Sequence, residues 1–286
     1  MDVFPSVILW ILDYLTERPQ FVKVKDSRSD VLKTNTGAPQ GTVLSPFLFS
    51  IYTSDCRSSS PDCPISKFAD DTAMAGLISK NNSVNYLQEI NSFVQWCDEN
   101  FLHLNVSKTK EMLINFRRDY TVPDQVVIKN TNVERVQNYK YLGITIDNQL
   151  KWTENTDTVV KKVNSRLYCL KKLRSFEVSK KVLQMFYSSV IVSVLTFGAS
   201  CWGGQLNGRD TDRIEKTIKK AGSTIGKKQT SFGEIYKKRL TDKLTDIASD
   251  STHPLWDELD GLKNDSGRYR TPKVGTHDSN ILPQRS

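Results

Sequence analysis

Two carboxylates stand side by side at Asp70-Asp71, between the short apolar runs Ile65–Ala69 and Thr72–Leu77. The flanking runs predict a β-hairpin with both acids at its tip. Adjacent carboxylates held at a tight turn repel one another and attract a divalent cation, which is how two-metal phosphoryl-transfer sites begin. Aspartate is also an ordinary turn residue, so the pair takes its meaning from its surroundings. A second candidate is the loop Gly37-Ala38-Pro39-Gln40-Gly41 ahead of an apolar helix. Its glycines let backbone approach a ligand, and a helix N-terminus favours phosphate, although the spacing is neither that of a P-loop nor G-x-G-x-x-G. Zinc chemistry is not supported: Cys56, Cys63, Cys97, Cys169 and Cys201 are odd in number, far apart and contain no C-x-x-C pair. The same spacing argues against a disulfide scaffold and for a reducing compartment.

The elements that would position these groups follow from hydropathy. Residues 4–16 have a helical pattern, and Phe21–Lys25 alternates as a strand does. Ser45-Pro46 predicts a helix start, with serine as N-cap and proline at the first helical position, running through Tyr52. From Ser83 the positions Val84, Leu87, Ile90, Phe93, Val94, Cys97 and Phe101 recur at helical spacing, with Asn82 or Ser83 as cap. Strands are expected at Glu111–Phe116, Gln125–Lys129 and Lys140–Ile146, with a turn at Asn130-Thr131-Asn132. After Trp152 the pattern turns helical, over Val159–Phe176 and Lys180–Thr196. Trp96, Trp152 and Trp202 are expected in cores, and His103 in a structural rather than catalytic role. Together these elements predict an α+β fold, followed by helices and, beyond Asp250, a loosely ordered polar tail.

Charge is distributed unevenly along the chain. Its 286 residues carry a net charge of +8, yet the first 100 hold 8 basic and 12 acidic side chains, leaving 32 basic and 20 acidic for the remainder. Residues 213–239 alone hold nine basic side chains against two acidic ones. An acidic front and a basic back predict a polyanionic partner held by the second half. Val3–Leu12 begins at Asp2 with neither a basic segment nor a cleavage site. The longest apolar stretch, Val182–Ala199, is interrupted by Gln184, Ser188, Ser189, Ser193 and Thr196. Both stretches are expected as helices of a globular protein, nuclear or cytoplasmic, with no signal peptide and no membrane span.

Four segments in one order resemble the reverse transcriptase of LINE-type, non-LTR retrotransposons. They are Thr36–Tyr52 (TGAPQGTVLSPFLFSIY), Phe68–Asp71 (FADD), Leu104–Lys110 (LNVSKTK) and Tyr139–Ile146 (YKYLGITI). Farther on, His253-Pro254-Leu255 and Arg268-Tyr269-Arg270 look like the end of such polyproteins. The resemblance implies a partial polymerase palm over residues 1–150, an antiparallel sheet with helices, then a thumb-like or connection region over 151–245 and the tail over 246–286. It also implies nucleotidyl transfer with Mg2+, and an RNA template with a DNA primer, or an RNA–DNA hybrid, as partners. Residue by residue, it makes Asp70 the metal ligand of the hairpin and Asp71 its auxiliary partner. Pro39, Gln40 and Gly41 would lie against the incoming nucleotide and template. Lys108, with Lys110 as the alternative, would assist the leaving pyrophosphate. Tyr141, Leu142 and Gly143 would form the turn that grips the primer end, and Lys161, Lys162, Arg166, Lys171, Lys172 and Arg174 would face duplex phosphates.

The family also places a third carboxylate on a strand ahead of the glutamine–glycine loop. Here 36 residues precede Gly37, and their acids Asp2, Asp13, Glu17, Asp26 and Asp30 fall in no such strand. Two adjacent carboxylates do not by themselves hold two Mg2+ ions about 3.5–4 Å apart. The expectation is therefore an incomplete Mg2+ site, in a palm–thumb remnant that is inactive alone. One alternative is a non-catalytic remnant that binds RNA or DNA through its basic half. A second comes from Val159–Gly198, which also looks like a helical region assigned to AlkB-type tRNA-modifying oxygenases, proteins that couple an iron domain to a methyltransferase. Their iron needs a His-x-Asp pair and a distant histidine. His103, His253 and His277 are followed by Leu104-Asn105, Pro254-Leu255 and Asp278-Ser279, so the ligands for that chemistry are missing.

Overall fold

The computed structural model describes residues 4–37, 39, 41–78, 83–116 and 121–263. Helix α1 (Pro5–Leu15) opens with a proline, whose fixed φ suits a first helical turn. Four short strands follow: β1 (Arg18–Gln20), β2 (Lys23–Val24), β3 (Ser27–Arg28) and β4 (Leu32–Thr34). Next come α2 (Leu44–Tyr52), β5 (Ile65–Phe68), β6 (Asp71–Met74) and α3 (Val84–Glu99). Six more strands lead to the helical part: β7 (Lys110–Glu111), β8 (Val127–Ile128), β9 (Thr131–Asn132), β10 (Glu134–Arg135), β11 (Asn138–Tyr141) and β12 (Ile144–Asp147). Helix α4 (Thr153–Ser175) is followed by α5 (Lys180–Phe186), which passes through a π-helical stretch at Tyr187–Val192 into α6 (Ser193–Thr196). The remaining helices are α7 (Ala199–Trp202), α8 (Gly208–Ile225), α9 (Phe232–Ser249) and α10 (Trp256–Asp260).

The mixture of helices and strands is the α+β arrangement expected, but its sheets are narrower. Among the described residues the strands form six two-stranded ladders, five antiparallel and one, β7 with β10, parallel. Strands of two to four residues offer few ladder bonds and little apolar face, so a wide sheet does not assemble from them. Several boundaries shift for the same reason. The strand expected over Phe21–Lys25 shortens to Lys23–Val24, that over Glu111–Phe116 to Lys110–Glu111, and that over Gln125–Lys129 to Val127–Ile128. Lys140–Ile146 is no single strand but the β11–β12 hairpin, reversed at Leu142-Gly143, where both φ angles are positive (45° and 87°). The turn expected at Asn130-Thr131-Asn132 falls at Lys129-Asn130, between β8 and β9, likewise at positive φ (49° and 61°) and one residue earlier. Such paired positive φ values give the turn a twist that matches its strands. Phe101 lies beyond the end of α3, exposed and at φ 54°.

Serine 45 is not the cap of α2. The helix begins at Leu44, and the Ser45 amide donates to Thr42 Oγ1 at 3.3 Å. Thr42 thus does for the first turn what an N-cap hydroxyl does. Ser83 does occupy the cap position of α3, but its side chain makes no capping bond, and Asn82 lies outside the described residues.

The chain divides into two compact units, Met1–Thr109 with Asp119–Val133, and Lys110–Arg118 with Glu134–Ser286. The first has a small core of Ile90, Val126, Ile128 and Val133, against which Met74, Tyr86, Leu87 and Leu104 pack. Beside that core, Glu89 is buried and clamps a serine loop: it accepts from Ser58 Oγ (2.9 Å), the Ser59 amide (3.1 Å) and the Ser59 hydroxyl. The Ser59 hydroxyl, opposed by burial and aided by Ser58 and the Ser59 amide, holds the Glu89 carboxyl below the usual glutamate range. A carboxylate depressed in the folded state contributes stability above its unfolded value, and loses it as pH falls through the folded one. Unfolding midpoints recorded against pH are therefore expected to fall below about pH 4.5, and Glu89→Gln to flatten that part of the profile. Identical profiles for the two proteins would rule out this clamp as an acid-sensitive element.

The second unit has the larger core, drawn from three helical stretches. Val159, Val163, Leu167 and Leu170 of α4 meet Leu183, Tyr187, Ile191 and Leu195, and Ile214, Ile218, Ala221 and Ile225 of α8. Residues four apart rotate by about 40° per step in an α-helix. The wider π-helical turn at Tyr187–Val192 absorbs that drift and keeps Leu183 to Leu195 on one face. Trp152 and Trp202 are buried here, as expected, and Trp202 is fully enclosed. Among the described residues no helix is long and apolar enough to cross a membrane.

Candidate functional site

The β5–β6 hairpin pairs Phe68 with Asp71 and Lys67 with Thr72, leaving Ala69-Asp70 as a two-residue turn. Only Asp70 is therefore at the tip, while Asp71 is the first residue of β6. Ala69 takes the left-handed conformation at φ 52°, at a cost of roughly 1–2 kcal/mol. The arm beyond the ladder stays paired, since Ala75 and Leu77 donate to the carbonyls of Pro64 and Asp62, both at 3.1 Å. Both carboxylates are exposed, with no hydrogen bond or ion pair recorded among the described residues. Lys67 fixes the hairpin to the end of α2: its ammonium donates to the Cys56 carbonyl at 2.9 Å and to the Thr53 carbonyl. A cation there also complements the negative end of the helix. Sequence patterning did not single out Lys67, which reads as one more surface lysine until α2 is in place.

Helix α2 links this hairpin to the loop before it. Gly37 and Gly41 stand at φ 70° and 77°, with open space where a Cβ would be, so it is backbone conformation that requires glycine there. Pro39 is half-buried, and its carbonyl accepts Thr42 Oγ1 at 3.2 Å and the Ser45 hydroxyl. Buried Arg18 holds the loop from the other side, donating to the Gly37 carbonyl at 2.7 Å and to that of Thr36. No local pattern marks Arg18 for this role, because its partners lie 18 and 19 residues away. Gln40 lies outside the described residues. Lys108 is exposed in the turn after Val106, in the same unit as the hairpin. Lys110 belongs to the other unit and pairs with Glu134 at 2.5 Å.

Among the described residues no group of three or more His, Cys, Asp or Glu side chains is placed to hold a metal ion. Asp13 sits on α1 and Asp26 in the turn between β2 and β3. Among the described residues, Asp70 and Asp71, one in a turn and one on a strand, are thus a pair of donors.

In the second unit Tyr141 ends β11 and Leu142-Gly143 makes the turn. Leu142 is exposed, and a Cβ built on Gly143 would come within 3.1 Å of the Phe197 ring. On α4, Lys161 and Lys172 lie about 20° apart, opposite the buried stripe of Val159, Val163, Leu167 and Leu170. Lys162 and Lys171 flank them, also exposed. An exposed tyrosine, Tyr168, lies among these cations, 6.0 Å from the Lys172 ammonium. The other two expected contacts differ. Arg166 is half-buried, and Arg174, itself exposed, donates to the Thr224 carbonyl at the end of α8. Five of the six basic residues are therefore exposed, four of them without the carbonyl contact that engages Arg174.

The family model for reverse transcriptase (RNA-dependent DNA polymerase) matches residues 2–146. The chain belongs to the reverse transcriptase family. Three relatives from Drosophila melanogaster place it among LINE-type, non-LTR retrotransposon enzymes. It is 27% identical over 215 residues to the RNA-directed DNA polymerase from mobile element jockey, covering 70% of this chain and 23% of the relative. Against the probable RNA-directed DNA polymerase from transposon BS it is 26% identical over 220 residues, covering 70% and 24%. Against that from transposon X-element it is 24% identical over 202 residues, covering 66% and 22%. The chain thus spans about a quarter of the length of these relatives. Their likeness covers more of this reverse transcriptase chain than the family model does, and so continues into the helical unit. The FADD hairpin, the Gly37–Gly41 loop and the β11–β12 turn all lie within the matched range. A second model, described as the N-terminal region of alkylated DNA repair protein alkB homolog 8, matches residues 152–193. That stretch is α4 with α5 and its π-helical continuation, and it contains no histidine. No solved structure matches the chain.

Proposed function

We propose that this chain is the part of a LINE-type reverse transcriptase that presents two catalytic carboxylates and holds the template–primer, and that nucleotidyl transfer needs a further carboxylate beside Asp70 and Asp71. The observation that carries this reading is the hairpin itself, which exposes two carboxylates without internal partners in a family of nucleotide polymerases. In this proposal residues 1–150 serve as a partial palm, 151–245 as a thumb-like region and 246–286 as a polar tail. Pro39, Gln40 and Gly41 lie against nucleotide and template, Lys108 assists the leaving group, and Tyr141-Leu142-Gly143 supports the primer end. Mg2+ is the cation, for which Asp70 and Asp71 are an incomplete donor set. The RNA template and DNA primer are held through Lys161, Lys162, Lys171 and Lys172, which neutralise backbone phosphates.

Primer extension on an RNA template with Mg2+ and all four nucleotides tests the catalytic half. The 286-residue chain is expected to extend no more than its Asp70→Ala variant. Extension that vanishes in Asp70→Ala would overturn the incompleteness. The binding half predicts that an RNA–DNA duplex is retained by Asp70→Ala, with four phosphate contacts weakening affinity roughly 100-fold between 50 and 200 mM salt. Salt-independent binding, or none, would remove it. Binding without extension even after a polypeptide carrying the further carboxylate strand is added favours the second reading, a nucleic-acid-binding remnant.

A further inference from the structure

We infer that the end of the helical unit around Gly226 is a second site for nucleic-acid backbone, formed by Lys180, Lys227 and Lys228 with Arg174 behind them. It rests on the reading that this unit holds nucleic acid. The first observation is convergence. A Cβ built on Gly226 would lie 3.8 Å from both Arg174 Nη1 and Lys180 Nζ, and Lys227 and Lys228 follow Gly226 directly. Four cationic side chains from α4, α5 and the α8–α9 connection therefore meet at one helix end.

Local structure neutralises them only in part. Arg174 is engaged by the Thr224 carbonyl, and the C-terminus of α8 offers only about half a negative charge. Residues 216–233 contain five lysines and no carboxylate, and residues 171–181 contain Glu177 alone. Glu234, the next acid, caps α9 through Ser231 and also attracts Lys228, which it balances in part. No ion pair within 4 Å is formed by Lys180, Lys227 or Lys228 among the described residues, and with Lys228 partly balanced by Glu234 about two positive charges remain.

Fixation separates this end from a merely solvated lysine loop. The amides of Gly226 and Lys227 both donate to the Gly222 carbonyl, at 2.8 and 3.1 Å, and Gly226 stands at φ 79°. Gln229 exchanges amide hydrogen bonds with Gln184, both at 3.0 Å, and donates to the Lys227 carbonyl at 2.9 Å. The connection bearing Lys227 and Lys228 is thus bolted to the helix that carries Lys180. Holding like charges together costs energy that loose side chains would avoid by spreading into water. The cost is offset when a polyanion arrives, because the cations are already arranged and counterions are released. Phosphodiesters of a nucleic-acid strand fit this chemistry, and the likeness to RNA-directed DNA polymerases, which covers 70% of this chain and so runs beyond residue 146, favours them over an anionic membrane.

The test uses the full chain and an RNA–DNA duplex, followed by fluorescence anisotropy between 50 and 200 mM salt. Lys180→Gln/Lys227→Gln/Lys228→Gln is expected to lower affinity at least tenfold at 100 mM and to reduce the log–log salt slope by about 2 to 3. Gln184→Ala/Gln229→Ala, which removes no charge, is expected to weaken binding several-fold by loosening the connection. Circular dichroism and unfolding midpoints establish that each variant is folded. An unchanged slope in the triple lysine variant, when Lys161→Gln/Lys162→Gln/Lys172→Gln weakens binding, would overturn this site and leave the proposed function standing. Failure of the unaltered chain to bind any duplex would overturn the proposed function and this site with it. A triple lysine variant that keeps its duplex affinity but no longer sediments with phosphatidylserine vesicles would assign the patch to membranes and overturn the proposal.

Discussion

Asp210→Ala is expected to destabilise the helical unit by about 3–5 kcal/mol. Asp210 is fully buried, and three donors converge on its carboxylate: Thr153 Oγ1 at 2.8 Å, Asn207 Nδ2 at 2.8 Å and Arg213 Nη1 at 2.9 Å. Its own amide is the group that Asn207 caps, at 2.8 Å, so one residue serves both the first turn of α8 and the junction with α4. Arg213 extends the junction to Asp157, and these two carboxylates hold its guanidinium protonated even more firmly than usual. Truncation leaves a hydroxyl, an amide and a guanidinium pointing at an emptied acceptor position, and the unpaired buried groups set the magnitude. Asp210→Asn, which preserves the shape and part of the accepting capacity, is expected to lose roughly half as much. Hydrogen exchange of α4 and α8 amides in the two variants reads the unit directly, which matters in a chain of two compact units. Protection within about 1 kcal/mol of the unaltered chain in Asp210→Ala would show that the junction holds without the network.

Asp210 also illustrates which features a sequence displays and which it hides. Its acceptor role depends on Thr153, 57 positions away, whereas locally it belongs to a polar Arg-Asp-Thr-Asp-Arg run that resembles any solvated helix start. The pattern of Val159, Val163, Leu167 and Leu170 needs no distant partner to be recognised, because helical periodicity alone places them on one face. The same holds for Asp70-Asp71 between apolar arms, whereas alternation alone runs through Leu142-Gly143 as one strand and misses the reversal there. Arg174 reads as another cation of the α4 face; only the packing of α8 beside it shows its guanidinium engaged by the Thr224 carbonyl. Serine and proline at 45 and 46 satisfied every local rule for a helix start, yet Thr42 and the Pro39 carbonyl moved the start forward. The parallel pairing of β7 with β10 had no signal, since two-residue strands carry no alternation. What local pattern shows is therefore the paired carboxylates and the helices; what it hides is how Arg18, Lys67 and Gln184 brace the loops around them.

Trp202→Ala is expected to cost about 3–5 kcal/mol, and to act on function through α9. The indole is fully buried and donates to the Phe197 carbonyl at 3.1 Å. Its ring stacks on Phe232 at 5.6 Å between centroids, and Phe232 in turn on Tyr236 at 6.2 Å, so the three rings run from α7 along the start of α9. Phe232 and Ile247 are the buried residues of α9, and the Phe232 amide is held by Glu215 at 2.7 Å. Removing the indole thus opens a cavity under one of the two apolar anchors of that helix. Trp202→Phe keeps a ring to stack but leaves the Phe197 carbonyl without its donor, and is expected to lose less than half as much. Since α9 begins four residues after Lys228, its release also frees the connection that carries Lys227 and Lys228. In Trp202→Ala, amides of α9 should exchange faster than those of α4, and duplex affinity should fall although no charge has been removed. Uniform loss of protection across both helices would mean that the unit melts as one, and that the stacked rings hold the whole core rather than α9 in particular.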